Sequence, residues 1–140
     1  MKKKIHATGV IFENEKGEIL VLKRHHKSLE GEKWGLVGGS IESNEEPKSA
    51  AVREVHEEIG HKIDSSRLQY LKEYHWERDE VEIIFETFKI KVRSEQVNLN
   101  LNINENTEHL WALPNDLSQR QDLVTGLYPI LDDEYHAKSS

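Results

Sequence analysis

No cysteine occurs in the 140 residues, which excludes a disulfide framework and any metal site built on thiolates. No apolar run approaches the roughly 20 residues needed to span a bilayer. Positive charge is scarce: 19 Lys and Arg against 26 Asp and Glu leave a formal net charge of −7. That balance argues against a nucleic-acid backbone as the main partner, because such binding rests on basic side chains neutralising phosphates. DNA binding is therefore not expected. Phosphorylated small molecules remain open, since carboxylates that hold a divalent cation reverse the sign of the local field. Internal repeats and low-complexity tracts are also lacking. Met1-Lys2-Lys3-Lys4 is basic, but alternation follows it, so no signal peptide is read. The expectation is one domain over residues 1–140, located in the cytoplasm.

What is present is a mixture of strand and helix patterns. Ile5–Phe12 suits a mostly buried strand, and Ile19–Leu22 a second one after the polar turn 13–17. The first two strands are expected to join as a hairpin. Residues 25–33 read as a loop, and Trp34–Val37 as a short apolar piece before Gly38-Gly39. Ser43 and Glu46 predict a capping box for a helix, with Pro47 in its first turn. Val52, Val55 and Ile59 recur at helical spacing, and Gly60 falls where a C-terminal cap belongs. Leu68–Trp76 and Val81–Val92 predict a hairpin turning near Arg78-Asp79. The Asn-rich stretch 98–108 reads as loop, His109–Leu113 as a short strand, and the chain from about Pro114 to His136 as helical. The fold class expected is α/β, with a mixed sheet between helices.

The helix carries the informative residues. Glu54 lies three and four positions from Glu57 and Glu58, so the three acids span about 100° of the helix face. Val52, Val55 and Ile59 occupy a different arc. One side is thus expected to pack while the other displays three carboxylates. Like charges at this spacing repel, and hard oxygen ligands for Mg²⁺ or Mn²⁺ resolve that conflict. A solvated, glutamate-rich surface gives the same local pattern.

The wider spacing is more specific. Gly39, Glu45, Arg53, Glu54, Val55, Glu57, Glu58 and Gly60 stand in register with the Nudix box, Gly-x5-Glu-x7-Arg-Glu-U-x-Glu-Glu-x-Gly-U, where U is a bulky aliphatic residue. Average residue usage makes a chance match on the order of one in ten million. The chain resembles the Nudix hydrolases, and the resemblance runs from about Ala7 to Leu113. Two positions depart from the pattern. His61 occupies an aliphatic position, with Ile63 expected to take over its packing, and Val37 stands where a proline often precedes the glycines.

That resemblance implies an α/β/α sandwich and a Mg²⁺-dependent hydrolase, with Mn²⁺ as a substitute, acting on a diphosphate linkage. By the same resemblance, Glu54, Glu57, Glu58 and the carbonyl of Gly38 are the metal ligands, while Gly38 and Gly39 open the loop that approaches substrate. Arg53 orients a box glutamate, Glu45 is structural, and Arg24 matches a substrate-phosphate arginine of MutT-like members. The water-activating base is expected in Glu105, with Glu57 and then Glu108 as alternatives.

The substrate class expected is a nucleoside triphosphate, released as monophosphate and pyrophosphate. A nucleotide sensor, an RNA 5′-pyrophosphohydrolase and a nucleotide-sugar or ADP-ribose hydrolase are the other readings. Trp34, Trp76, Trp111 and Tyr74 are candidates to stack on a base, with core packing as the plainer role. The eight histidines are scattered, and no transition-metal site is expected from them. Oligomeric state is left open.

Overall fold

The structure, a computed structural model, describes residues 3–136. Its strands are β1 (Lys3–Glu13), β2 (Ile19–Arg24), β3 (Trp34–Gly35), β4 (Val37–Ser40), β5 (Gln69–Arg78), β6 (Val81–Lys91) and β7 (Asn106–Ala112). The helices are α1 (Pro47–Ile59), α2 (Pro114–Ser118) and α3 (Leu127–Leu131), the last running into a wider turn over Asp132–His136.

Side chains alternate across a strand, and β1 and β2 use both faces. Val10, Phe12, Leu20 and Leu22 point to a core shared with Ala51, Val55 and Ile59 of α1. Ile11, Ile19 and Val21 point to the opposite core, closed by Leu117, Leu127, Ile130 and Leu131 of α2 and α3. Apolar residues on both faces explain why these strands read as near-continuous hydrophobic runs. The result is the α/β/α sandwich expected from the sequence, around a mixed sheet.

β1 is the hub. It runs parallel to β6 along its whole length and antiparallel to β4 from Ala7 to Val10. With β2 it pairs only at Glu13↔Ile19, so the expected hairpin forms at its turn and then splays. β2 instead pairs along β7. The gap between the diverging strands is where β4 and the loops collect. The β5–β6 hairpin forms as expected, with Asp79 at φ 55° in its turn.

Three further expectations change. The capping box does not form: Glu46 occupies the cap position of α1 without a side-chain bond. Its neighbour Glu45 receives the Glu42 N–H instead, at 3.0 Å. Pro47 does open the helix, and Gly60, at φ 70°, closes it. The C-terminal part is two short helices, because residues 119–126 leave the helical path and Gly126 turns at φ 92°. Finally, the Asn-rich loop ends earlier than its composition implies, with Asn106 already in β7. Ile63 does pack in the α1-side core, while His61 sits edge-on to Phe12 with ring centroids 6.1 Å apart. Among the described residues, no helix is long and apolar enough to cross a membrane.

Candidate active site

The flank of α1 that carries the three acids is covered by β4, so its residues grade from solvent to interior. Glu57 is half exposed, its side chain retaining 50% of its accessible surface, against 12% for Glu54. Glu58 is buried, at 7%. The expectation of three displayed carboxylates is therefore corrected: α1 turns Glu58 inward, beneath the glycines of β4.

Both Glu58 oxygens have donors. The Gly38 N–H donates to Oε1 at 2.6 Å, and the Asn106 Nδ2 donates to Oε2 at 2.8 Å. No Lys, Arg or His pairs with it among the described residues. Burial pushes its pKa up to about 8; the Gly38 and Asn106 donors oppose this, and the negative charges of Glu105 and Glu54 add to it.

Arg53 organises the opposite corner. Its guanidinium donates to both Glu45 oxygens, at 2.8 and 2.9 Å, a paired geometry suited to arginine. It also donates to Glu54 at 3.0 Å, to Glu57 at 3.2 Å and to the Ser40 carbonyl at 3.0 Å. The Arg53 bond holds the Glu45 carboxyl down to about 2. At Glu54 burial dominates and raises the pKa, with Arg53 acting against it.

A cavity of about 250 Å³ joins these corners. It is lined by Arg24 and Ser28, by Gly38 and Gly39, and by Glu54, Glu58, Glu105 and Asn106. The glycines are needed for space. A Cβ on Gly39 would fall on the Glu54 carboxylate, and one on Gly38 would strike the Thr8 carbonyl oxygen of β1. Arg24 is steadied by its Nε, which donates to the Leu29 carbonyl at 2.8 Å. The Glu105 carbonyl accepts the His25 N–H at 2.9 Å, linking the two bordering loops. A slightly larger cavity, about 280 Å³, lies by His61, Lys62 and Arg67. Its one acid, Asp64, is engaged by Ser66, so it lacks the carboxylate grouping.

Of the residues singled out from sequence, Arg24, Gly38, Gly39, Glu54, Glu58 and Glu105 meet at one cavity, with Arg53 behind Glu54. Glu57 leans on Arg53 and does not line the cavity. Glu108 points away, 3.4 Å from Lys23 on the surface. The four aromatic candidates belong to the cores: Trp34 is buried, Tyr74 and Trp76 stack on each other within the α3-side core, and Trp111 packs on the α1 side. Asn106 was not anticipated. An asparagine in an Asn-rich stretch has no distinguishing mark, and only the folding of β7 against β2 brings it to Glu58.

Among the described residues, no three His, Asp or Glu side chains are gathered as a preformed ion shell. The donor set nevertheless suits a hard divalent cation: oxygen ligands only, with a buried carboxylate that no protein cation balances.

Comparison with known proteins agrees with the geometry. The family model described as NUDIX domain matches residues 3–133. An 8-oxo-dGTP diphosphatase of Proteus vulgaris is 37% identical over 59 residues, 42% of this chain and 53% of that protein. An RNA pyrophosphohydrolase of Haemophilus influenzae is 36% identical over 70 residues, 50% of this chain and 33% of that protein. These matches span about half or less of the curated relatives' length. The crystal structure of a MutT protein from Methanosarcina mazei Go1 superposes with a TM-score of 0.80, at 25% identity, over 94% of this chain and 93% of that one. With a family match over nearly its whole length and a sheet that superposes on MutT, the chain belongs to the Nudix hydrolase family.

Proposed function

We propose that this chain is a Mg²⁺-dependent pyrophosphohydrolase that cleaves a nucleoside triphosphate to a monophosphate and pyrophosphate. The observation that carries this reading is the buried Glu58 carboxylate, without a protein cation, sharing a cavity with Glu54, Glu105 and the Arg24 guanidinium. Glu54, Glu58 and the Gly38 carbonyl are the groups to hold the cation. Glu57 joins them on release from Arg53, and Mn²⁺ can replace Mg²⁺. When bound, the cation neutralises phosphate oxygens and stabilises the departing phosphate.

The chain's own groups supply the rest. Arg24 holds a phosphate from the β2 end, and Arg53 keeps Glu54 oriented. Glu105 takes a proton from the water that attacks phosphorus as the P–O bond to the leaving group breaks. The likeness to an 8-oxo-dGTP diphosphatase supports a nucleoside triphosphate and makes oxidised guanine nucleotides the first to try. The likeness to an RNA pyrophosphohydrolase supports a second reading, the 5′ end of RNA, which the net charge of −7 disfavours.

The test is a panel of nucleoside triphosphates, nucleotide sugars, ADP-ribose and triphosphorylated RNA with Mg²⁺, followed by phosphate and pyrophosphate release. Turnover is expected on a nucleoside triphosphate and lost by about 10²–10⁴-fold in Glu105→Gln. Release from RNA alone would replace the substrate, and binding without turnover anywhere would make the protein a sensor.

A further inference from the structure

The loop between β6 and β7 is tied to the end of α1 in a regular way. The last carbonyls of a helix lack intrahelical donors, and here the loop supplies them at every second residue. The Asn102 N–H donates to the Glu58 carbonyl at 2.9 Å, and the Asn100 N–H to the Ile59 carbonyl at 2.8 Å. The Asn98 side-chain amide donates to the Gly60 carbonyl at 3.0 Å. The chain then folds back on Asn102, whose carbonyl receives the N–H groups of both Glu105 and Asn106 at 3.0 Å. Asn106 enters β7 opposite Arg24, beside a register shift in β2, and is buried at 4% exposure.

Glu58 is therefore gripped twice by one loop, at its backbone oxygen by Asn102 and at its carboxylate by Asn106. We infer that Asn106 is a positioning residue: its amide, delivered by the Asn-rich loop, holds the Glu58 carboxylate in the orientation a divalent cation requires. The residue type fits the task. A lysine or arginine would orient the carboxylate but also neutralise it, competing with the cation, whereas an aspartate would repel it. An amide N–H orients the group and leaves its charge for the metal. The inference rests on the proposed role of Glu58 as a ligand.

Its test is Mn²⁺ binding, followed by calorimetry, in the wild type, Asn106→Leu and Glu58→Gln, with melting curves and the Mg²⁺ dependence of turnover. Leucine keeps the branched shape, with somewhat more volume, and removes the donor. Asn106→Leu is expected to raise the Mn²⁺ dissociation constant about 10–100-fold. The half-saturating Mg²⁺ should rise in parallel, with kcat largely recovered at saturating Mg²⁺. Assays well below each variant's melting point exclude rescue of unfolded protein by bound metal, and a folded Asn106→Leu whose kcat falls with no change in metal requirement overturns the inference. Should the leucine variant not fold, Asn106→Ser, which keeps a shorter donor, is expected to show a smaller shift of the same sign, and unchanged affinity there overturns it too. Weak binding in Glu58→Gln with wild-type affinity in a folded Asn106→Leu removes the role of Asn106 alone. Mn²⁺ bound equally by wild type and Glu58→Gln, or by neither, removes the ligand role of Glu58 and the inference with it.

Discussion

Two glutamates, Glu58 in the cavity wall and Glu45 outside it, are held in opposite ways. Glu45 is paired with a guanidinium that also reaches Glu54, Glu57 and the Ser40 carbonyl. Glu58 is more buried and is met only by the neutral N–H groups of Gly38 and Asn106. The first arrangement gives Glu45 a full counter-charge at bonding distance and suits a brace between β4 and α1. The second keeps an uncompensated carboxylate in a cavity, which is unfavourable unless something arrives to balance it. Under the proposed function, a cation and its phosphates supply that balance.

The largest effect should come from removing that charge. Glu58→Gln keeps size and an acceptor for the Gly38 N–H, and is expected to cut turnover by about 10³-fold, a few kcal/mol of lost stabilisation. Its melting temperature should hold or rise, because a neutral side chain is easier to bury. Kinetics beside a melting curve check this, and a large fall in melting temperature would make Glu58 a structural residue instead.

Arg53→Lys tests the other corner. Lysine keeps the charge but loses the planar fork that serves four partners, so a loss of about 10–100-fold in kcat/KM is expected. Wild-type kinetics in this variant would mean that charge alone suffices.

The corners should also respond to pH with opposite signs when divalent ions are chelated. The Glu45 carboxyl is held far below its ordinary value of 4.5, so its contribution is full above that pH and is lost as pH falls towards about 2. The Glu58 carboxyl is raised, so its stability is full below 4.5 and declines as pH rises through about 8. That decline is at most about 1.4 kcal/mol per pH unit. Melting curves with EDTA should show a decline between pH 4.5 and about 8 that shrinks in Glu58→Gln, and a decline below pH 4.5 that shrinks in Glu45→Gln. Restoration of stability near pH 8 by Mn²⁺ would sharpen the contrast.

The smallest effect belongs to Glu108, whose surface pair with Lys23 lies outside both corners. Glu108→Gln should change stability by no more than about 0.5 kcal/mol and leave turnover unaltered. A marked loss of rate would move the base from Glu105 to Glu108.

Much of this was legible before folding, because it is local. The spacing of Gly39, Glu45, Arg53, Glu54, Glu57 and Glu58 marked the family. Gly60 marked the helix end, and the near-continuous apolar runs of β1 and β2 marked a sheet covered on both faces. The capping box misled because Glu45 and its arginine partner settle the turn before α1, leaving Glu46 without a side-chain bond. The tryptophans took the plainer of the two roles read for them, core packing, which sequence could not separate from stacking because an aromatic ring gives the same signal in both.

Periodicity and spacing determined which elements form and that three acids share one flank of a helix, since both depend on neighbours a few residues apart. The tertiary structure alone decided that these acids are unequal. Whether a carboxylate faces water, a guanidinium or an amide depends on chain segments distant in sequence: β4 over Glu58, and β7 bringing Asn106 from 48 positions away. Burial and partner charge, which set the chemistry of each acid, arise only when those segments meet.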